Sequence, residues 1–335
     1  MTKDKKQGKP RLKDFGTLES SLIQFGEIKV QKINNLQDAL AQHIRDCNIS
    51  CTSLTMTLFG DVVSQHGNWI WLGSLIEALA PLGFNERSVR TSVNRLMQSN
   101  WLEAKKIGRK SYYCFTENAR SHYERVARRI YIPEPPDWDG NWLLVLAVSV
   151  PEEKRDEFKK SLIWQGFNSL SFGFFAHPSS DRRSLDETLI EQNLTKDVVV
   201  FNATLEDLHS KDVIKGLVNE KWDVSELQIS YQDFLGFYRA LHSKIDVAAL
   251  SPQESFIYRA VLIHDYRRIQ LRDPDLPDDL LPNGWVGYEA QDLLKRLYKM
   301  LVKPSLRYTE ENLFNAHGTL PAASSKFFNR LGGLK

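Results

Sequence analysis

The chain has 335 residues, 42% of them hydrophobic and 26% charged, with eight tryptophans; that suffices for two or three packed domains and excludes wholesale disorder. No apolar run approaches the ~18 residues of a membrane span, the lysine-rich start lacks the apolar stretch of a secretory leader, and three cysteines (Cys47, Cys51, Cys114) make no disulfide framework, so a cytoplasmic setting is expected. The formal net charge of +2 conceals an asymmetry: residues 1–13 carry +5, residues 85–131 carry +7, and the remainder is about −10.

Residues 1–48 read as a basic N-terminal extension, with Ile33, Leu36, Leu40 and Ile44 at helical spacing near its end. A helix is expected over Ser53–Ser64, capped by Thr52 or Ser53, with Leu54, Leu58 and Val62 on one face. Gly67-Asn68 breaks it, and Trp69-Ile70-Trp71 reads as extended. Ser74 with Glu77 has capping-box spacing, so the next helix is expected to start there and to stop at Pro81-Leu82-Gly83. Asn85 opens a helix to about Asn100. Residues 102–116 alternate around Ile107-Gly108-Arg109 as a β-hairpin. Helix, helix, turn, helix, hairpin over residues 49–132 is the order of a winged helix-turn-helix.

On the Asn85 helix, with Arg87 at zero and ~100° per residue, Val89, Val93, Leu96 and Met97 share a core arc. Arg87, Arg90, Thr91, Asn94, Arg95 and Gln98 lie opposite. Arg and Asn are the side chains that read guanine and adenine edges in a major groove, and a basic hairpin tip beside them would hold the phosphate backbone. The candidate DNA contacts are therefore Arg87, Ser88, Arg90, Thr91, Asn94 and Arg95 on the helix, with Lys105, Lys106, Arg109, Lys110 and Tyr112 on the hairpin. A solvated basic face is the plainer account of the charge alone.

Pro133–Asp139 reads as a linker, since its prolines suit neither helix nor central strand. Residues 138–206 then run strand, helix, strand, helix, strand: Trp142–Val150, Pro151–Gln165, Gly166–Ala176, Leu185–Gln192 and Asp197–Thr204. That is a small ferredoxin-like domain. Residues 207–335 are mainly helical, near Ser225–Ser243, Pro252–Leu271 and Tyr288–Val302, with an acidic proline-broken loop at Asp273–Pro282. The fold class is α+β multidomain. The run from Leu262 to Pro277 concentrates His264, Asp265, Tyr266, Arg267, Arg268 and Arg272; Arg268 and Arg272 read as i,i+4 neighbours able to grip an anion. A salt-bridge network through Asp265 and Asp273 would use the same residues.

The runs Thr57-Leu-Phe-Gly-Asp61, Trp71-Leu-Gly-Ser-Leu-Ile76, Asn85-Glu-Arg-Ser-Val-Arg-Thr-Ser-Val93, Gly108-Arg-Lys-Ser-Tyr-Tyr113, Pro135-Pro-Asp-Trp-Asp-Gly140 and His264-Asp-Tyr-Arg-Arg-Ile-Gln-Leu-Arg-Asp-Pro274 occur in this order. Over about Ser53 to Val302 the chain resembles the PaaX family, repressors of phenylacetic acid degradation operons. The resemblance implies a winged helix-turn-helix domain, a central Cas2-like domain and a C-terminal helical effector or dimerisation domain over 207–335. It also implies a dimeric repressor on a palindromic double-stranded DNA operator, released by phenylacetyl-coenzyme A. An acyl-coenzyme A needs cations at its nucleotide end, which Arg239, His264, Arg267, Arg268 and Arg272 could supply. Its acyl end needs an apolar slot, from Phe237, Tyr238, Tyr266 and Trp285.

Enzyme signatures are missing from the sequence: no Gly-rich phosphate loop, nucleophile elbow or His-Glu-x-x-His. Cys47 and Cys51 have no neighbouring residues spaced for zinc, so no metal or cofactor is expected. A Cas2-like metal-dependent nuclease wants an acid where this chain has Ala147-Val148-Ser149-Val150. The alternatives to an effector-controlled repressor are that nuclease, or a DNA-binding protein indifferent to metabolites.

Overall fold

The computed structural model describes residues 35–131, 138–178, 182–204 and 210–334. They form two compact units: residues 1–133, 233–268 and 289–335 belong to one, and residues 134–232 with 269–288 to the other. The helical segment 207–335 therefore contributes to both units. Most of the basic tail and of the Pro133–Asp139 linker lies outside the described residues.

In the first unit, α1 (Leu36–Asp46) is capped by Asn35 and α2 (Cys51–Asp61) by Ser50, whose hydroxyl accepts from the Ser53 amide. The cap thus lies two or three residues before the expected one. Every residue of α2 is buried, so this is a central helix rather than an amphipathic one. Gly60 belongs there because a Cβ would stand 1.9 Å from the Tyr123 ring. Strand β1 (Ile70–Trp71) leads directly into α3 (Leu72–Leu79), which has no side-chain cap. The expected capping box does not form. Ser74 lies inside α3, and its hydroxyl accepts from the Phe314 amide at 2.9 Å.

After a 3-10 turn and Gly83 (φ +87°), α4 (Glu86–Gln98) starts on the Asn85 side chain, which accepts from the Ser88 amide. Strands β2 (Leu102–Ile107) and β3 (Lys110–Phe115) form the expected hairpin, turning at Gly108 with φ +59°. Their sheet has the order β1-β3-β2, so β2 is an edge. Helix α5 (Glu117–Tyr131) follows.

The second unit holds β4 (Asn141–Ala147), α6 (Glu152–Trp164), β5 (Asn168–Ser171), β6 (Phe174–His177), α7 (Arg182–Glu191), β7 (Val198–Thr204) and α8 (Ser210–Lys221). Its antiparallel sheet runs β5-β6-β4-β7, the order of a split βαββαβ fold. Alternation assigns the two faces. Leu143 and Val145 pack with Phe158, Leu162, Leu185 and Leu189. Trp142 and Ala176 pack with Val218, Trp222, Leu276 and Leu280.

Helices α9 (Val224–His242), α10 (Pro252–Gln270) and α11 (Gly287–Asn312) complete the helical set, with a short β8–β9 ribbon (Phe314–Asn315, Gly318–Thr319) and α12 (Ser325–Phe328). Helix α11 runs ten residues past its expected end at Val302 and contains Pro304. An interior proline costs about 3 kcal/mol. Burial of Ser305, Tyr308 and Thr309 beyond it holds the helix together.

Candidate nucleic-acid interface

Helix α4 is built around its apolar arc. Val89, Val93 and Leu96 are buried, and Ser92 joins them, accepting a hydrogen bond from Thr52 at 3.1 Å. Met97, expected in the core, is 38% exposed. The true arc is centred near Leu96, and Met97 falls on its rim. The opposite side carries Arg87, Arg90, Thr91, Asn94, Arg95 and Gln98, all exposed. Two of these have local duties. Arg90 forms an i,i+4 ion pair with Glu86, both contacts at 2.7 Å, and the Thr91 hydroxyl donates to the Arg87 carbonyl at 2.8 Å. Ser88 is half-buried, and its hydroxyl donates to the Asn85 carbonyl at 2.7 Å.

The hairpin presents Lys105, Lys106, Arg109 and Lys110, and every residue from Glu103 to Lys110 is exposed. Lys110 lies over the Trp71 ring at 4.3 Å, a cation–π contact that ties the tip to β1. Tyr112 differs from expectation. It is 6% exposed, because its position in the register places it inward on the central strand opposite Trp71 and Lys105. It leaves the candidate set. Lysines on β2 also suit an unpaired sheet edge.

Beneath this surface lies a buried polar network that the sequence reading missed. Asp61 ends α2 and is 1% exposed. Its carboxylate pairs with Arg259 at 3.2 Å and Arg330 at 2.8 Å, and accepts from the Tyr131 and Tyr298 hydroxyls at 2.7 and 2.8 Å. Burial works to raise its pKa, but the two guanidiniums and the hydroxyls hold it below the usual carboxylate range. A lone acid in an apolar helix was the available signal. A second cluster joins α1 to α10. His43 Nε2 lies 2.7 Å from Asp265, which also accepts from the Tyr238 hydroxyl at 2.7 Å. Burial would lower the His43 pKa, yet Asp265 lifts it to about 10. His43 Nδ1 is 3.5 Å from Cys47 Sγ, a neighbour one turn away that the zinc-spacing argument overlooked. Among the described residues, no three His, Cys, Asp or Glu side chains are grouped to hold a metal ion.

The expected effector residues do not converge on one surface. Residues 255–270 of α10 are all buried, since apolar side chains occupy every side of that helix. His264 is fully buried, with Nδ1 3.0 Å from the Thr57 hydroxyl. Burial and the nearby Arg267 and Arg268 charges hold it neutral, well below an ordinary histidine. Arg267 donates to Ser53 at 3.4 Å, Arg268 is 7% exposed, and Tyr266 packs edge-on against Phe234. Phe237 stacks on His43 at 3.8 Å. Arg239 is exposed and paired with Glu289 at 2.7 Å. Arg272 and Trp285 fall in the second unit, Arg272 exposed and Trp285 edge-on to Tyr231. Helix α10 stops at Gln270, so Arg268 and Arg272 are not partners one helical turn apart. A cavity of about 430 Å³ beside the hairpin, floored by Phe59 and Phe115, is lined by none of these residues.

Three family descriptions match the chain: PaaX-like protein over residues 50–119, the PaaX protein central Cas2-like domain over 135–214, and the PaaX-like protein C-terminal domain over 222–311. The Transcriptional repressor PaaX of Escherichia coli (strain K12) is 37% identical over 300 residues, spanning 89% of this chain and 95% of that one. The chain belongs to the PaaX family. Among solved structures, the uncharacterized protein Rv0674 from Mycobacterium tuberculosis is a distant likeness, with 21% identity, a TM-score of 0.47, and coverage of 74% of this chain and 94% of that one. The PaaX-like match spans the whole of α4 and the hairpin. The match to the family's C-terminal domain takes in His264, Arg267 and Arg268, and also Asp265 and Arg259 of the buried clusters. No helix among the described residues is long and apolar enough to cross a membrane.

Proposed function

We propose that this chain is a transcriptional repressor that binds duplex DNA through residues 49–132 as a winged helix-turn-helix. In this reading α2 and α3 support α4, which enters the major groove, while the β2–β3 hairpin rests on the backbone. The observation that carries the proposal is the outward face of α4. Arg87, Asn94 and Arg95 stand exposed on a helix whose other side is locked into the core, beside a hairpin carrying four cations. The name of the Escherichia coli relative supports the same reading. Arg90 must exchange Glu86 for DNA, an exposed pair worth only a few tenths of a kcal/mol.

The second unit acts as the dimerisation element. Its edge strand β7, Val198-Val-Val-Phe-Asn-Ala-Thr204, carries no charge and exposes Val199 and Phe201; among the described residues no strand pairs with its outer edge, which suits pairing with a second copy. The operator would then be an inverted repeat with half-sites one helical turn, or a multiple, apart. Phenylacetyl-coenzyme A is the proposed releasing ligand, acting by preferring the state off DNA. Because α10 buries its arginines, the ligand reaches His264, Arg267 and Arg268 only if that state opens them; Arg239 and Arg272 are accessible without such a change. Gel retardation on the promoter beside the chain's own gene, repeated with a panel of acyl-coenzyme A thioesters, tests the reading. Retardation reversed by the phenylacetyl thioester supports it. Retardation that no thioester reverses leaves a metabolite-indifferent binder, and no retardation at all removes the repressor.

A further inference from the structure

We propose that the outward face of α11 is a second DNA-contact surface, which grips the phosphate backbone flanking the site read by α4. This rests on the reading of the chain as a duplex-DNA binder. Lys295, Arg296, Lys299 and Lys303 are all exposed. They span about 12 Å of helix at 1.5 Å per residue, and no acid occurs between Asp292 and Glu310.

The stripe contrasts with four exposed arginines that have an acid within reach on their own helix. Arg90, Arg182, Arg183 and Arg307 each pair with a carboxylate one turn away, at 2.7 to 3.1 Å. Among the described residues none of the four α11 cations has an ion pair. Lys295 with Lys299, and Lys299 with Lys303, are like-charge i,i+4 neighbours, which cost a helix a few tenths of a kcal/mol each. Such an arrangement lowers stability unless an anionic partner is present. Duplex DNA carries one negative charge per ~1.7 Å of axis, and cations that displace its counterions gain affinity without reading sequence.

The inner face of the same helix fixes the stripe to the reading head. Leu294, Leu297, Leu301 and Ser305 are buried, and the Tyr298 hydroxyl donates to Asp61 at the end of α2. Helix α2 is in turn hydrogen-bonded through Thr52 to Ser92 of α4. The stripe and α4 therefore belong to one packed unit, and α4 carries few unpaired cations of its own.

The test is the salt dependence of binding by the full chain, measured by fluorescence anisotropy. It uses the promoter fragment, a scrambled duplex of equal length, and the promoter fragment trimmed to the inverted repeat. The variant is K295Q/R296Q/K299Q/K303Q; glutamine keeps helix propensity, and thermal unfolding checks the fold. On the two long duplexes, the slope of log K against log salt should become shallower by about 3.6 for each bound protomer, four lost phosphate contacts at roughly 0.9 each. The loss of affinity should be equal on promoter and scrambled sequence, and should vanish on the trimmed duplex. A charge-retaining K295R/R296K/K299R/K303R variant should keep the parent slope. A parent slope in the glutamine variant, or a shallow slope in the charge-retaining one, overturns the inference while the DNA-binding reading stands. A parent that binds none of the duplexes overturns both.

Discussion

Asp61 shows how much one side chain organises here. It is the buried countercharge shared by Arg259 and Arg330. Asp61→Asn would leave two buried guanidiniums without a countercharge, and such losses cost about 3–5 kcal/mol. Urea unfolding should reveal a loss of that order; a variant as stable as the parent would mean the arginines find other partners. The histidines set the pH response. His43 keeps its proton up to about 10 against an ordinary 6.5. Its folded pKa is the higher one, so its contribution is complete below about pH 6.5 and is lost as pH rises through 10. His66, whose Nδ1 contacts the Pro321 carbonyl at 2.8 Å, is lowered to about 4, chiefly by burial. Its contribution is complete above about 6.5 and is lost as pH falls through 4. Stability of this unit should therefore peak near neutrality. Thermal unfolding across pH should show both limbs, and His43→Gln should flatten the alkaline one alone. An alkaline limb unchanged in that variant would contradict the role given to His43.

Elements whose signals are local were legible in the sequence. Asn85 as a cap, the Val89/Val93/Leu96 arc and the Gly108 turn each act within a few residues, and each appears where the sequence put it. Elements decided by tertiary contacts were not. Ser74 had the spacing of a cap but was spent on the Phe314 amide. Tyr112 looked available on a hairpin until the β1 register turned it inward. Helix α10 looked like a cationic surface because its arginines were counted; the apolar residues on every side of it marked it as central instead. The last long helix was expected to end at Val302, and the packing beyond Pro304 carries it on to Asn312. The cap prediction belongs at this scale. Asn85→Ala should cost ~1 kcal/mol of stability, with DNA affinity changed little once the protein is folded. A loss of affinity far beyond the loss of folded fraction would mean that Asn85 itself touches DNA.

For the whole molecule, the account joins a reading head in one unit to a pairing edge in the other. Phe201 is 46% exposed at the middle of β7, so Phe201→Lys should leave the fold intact and place a charge on that edge. Sedimentation should give a monomer, and binding to the inverted repeat should weaken as the second half-site is lost. A variant that remains a dimer would move the pairing surface elsewhere. The claim beneath all of this is that α4 reads DNA. It is tested most directly by titrating the promoter fragment at one fixed salt concentration with the parent and with an R87A/N94A/R95A variant of equal thermal stability. Base contacts are worth about 1–3 kcal/mol each, so the account predicts binding weaker by about a hundredfold or more, with preference over scrambled duplex lost. A variant that binds the promoter as tightly and as selectively as the parent would contradict it.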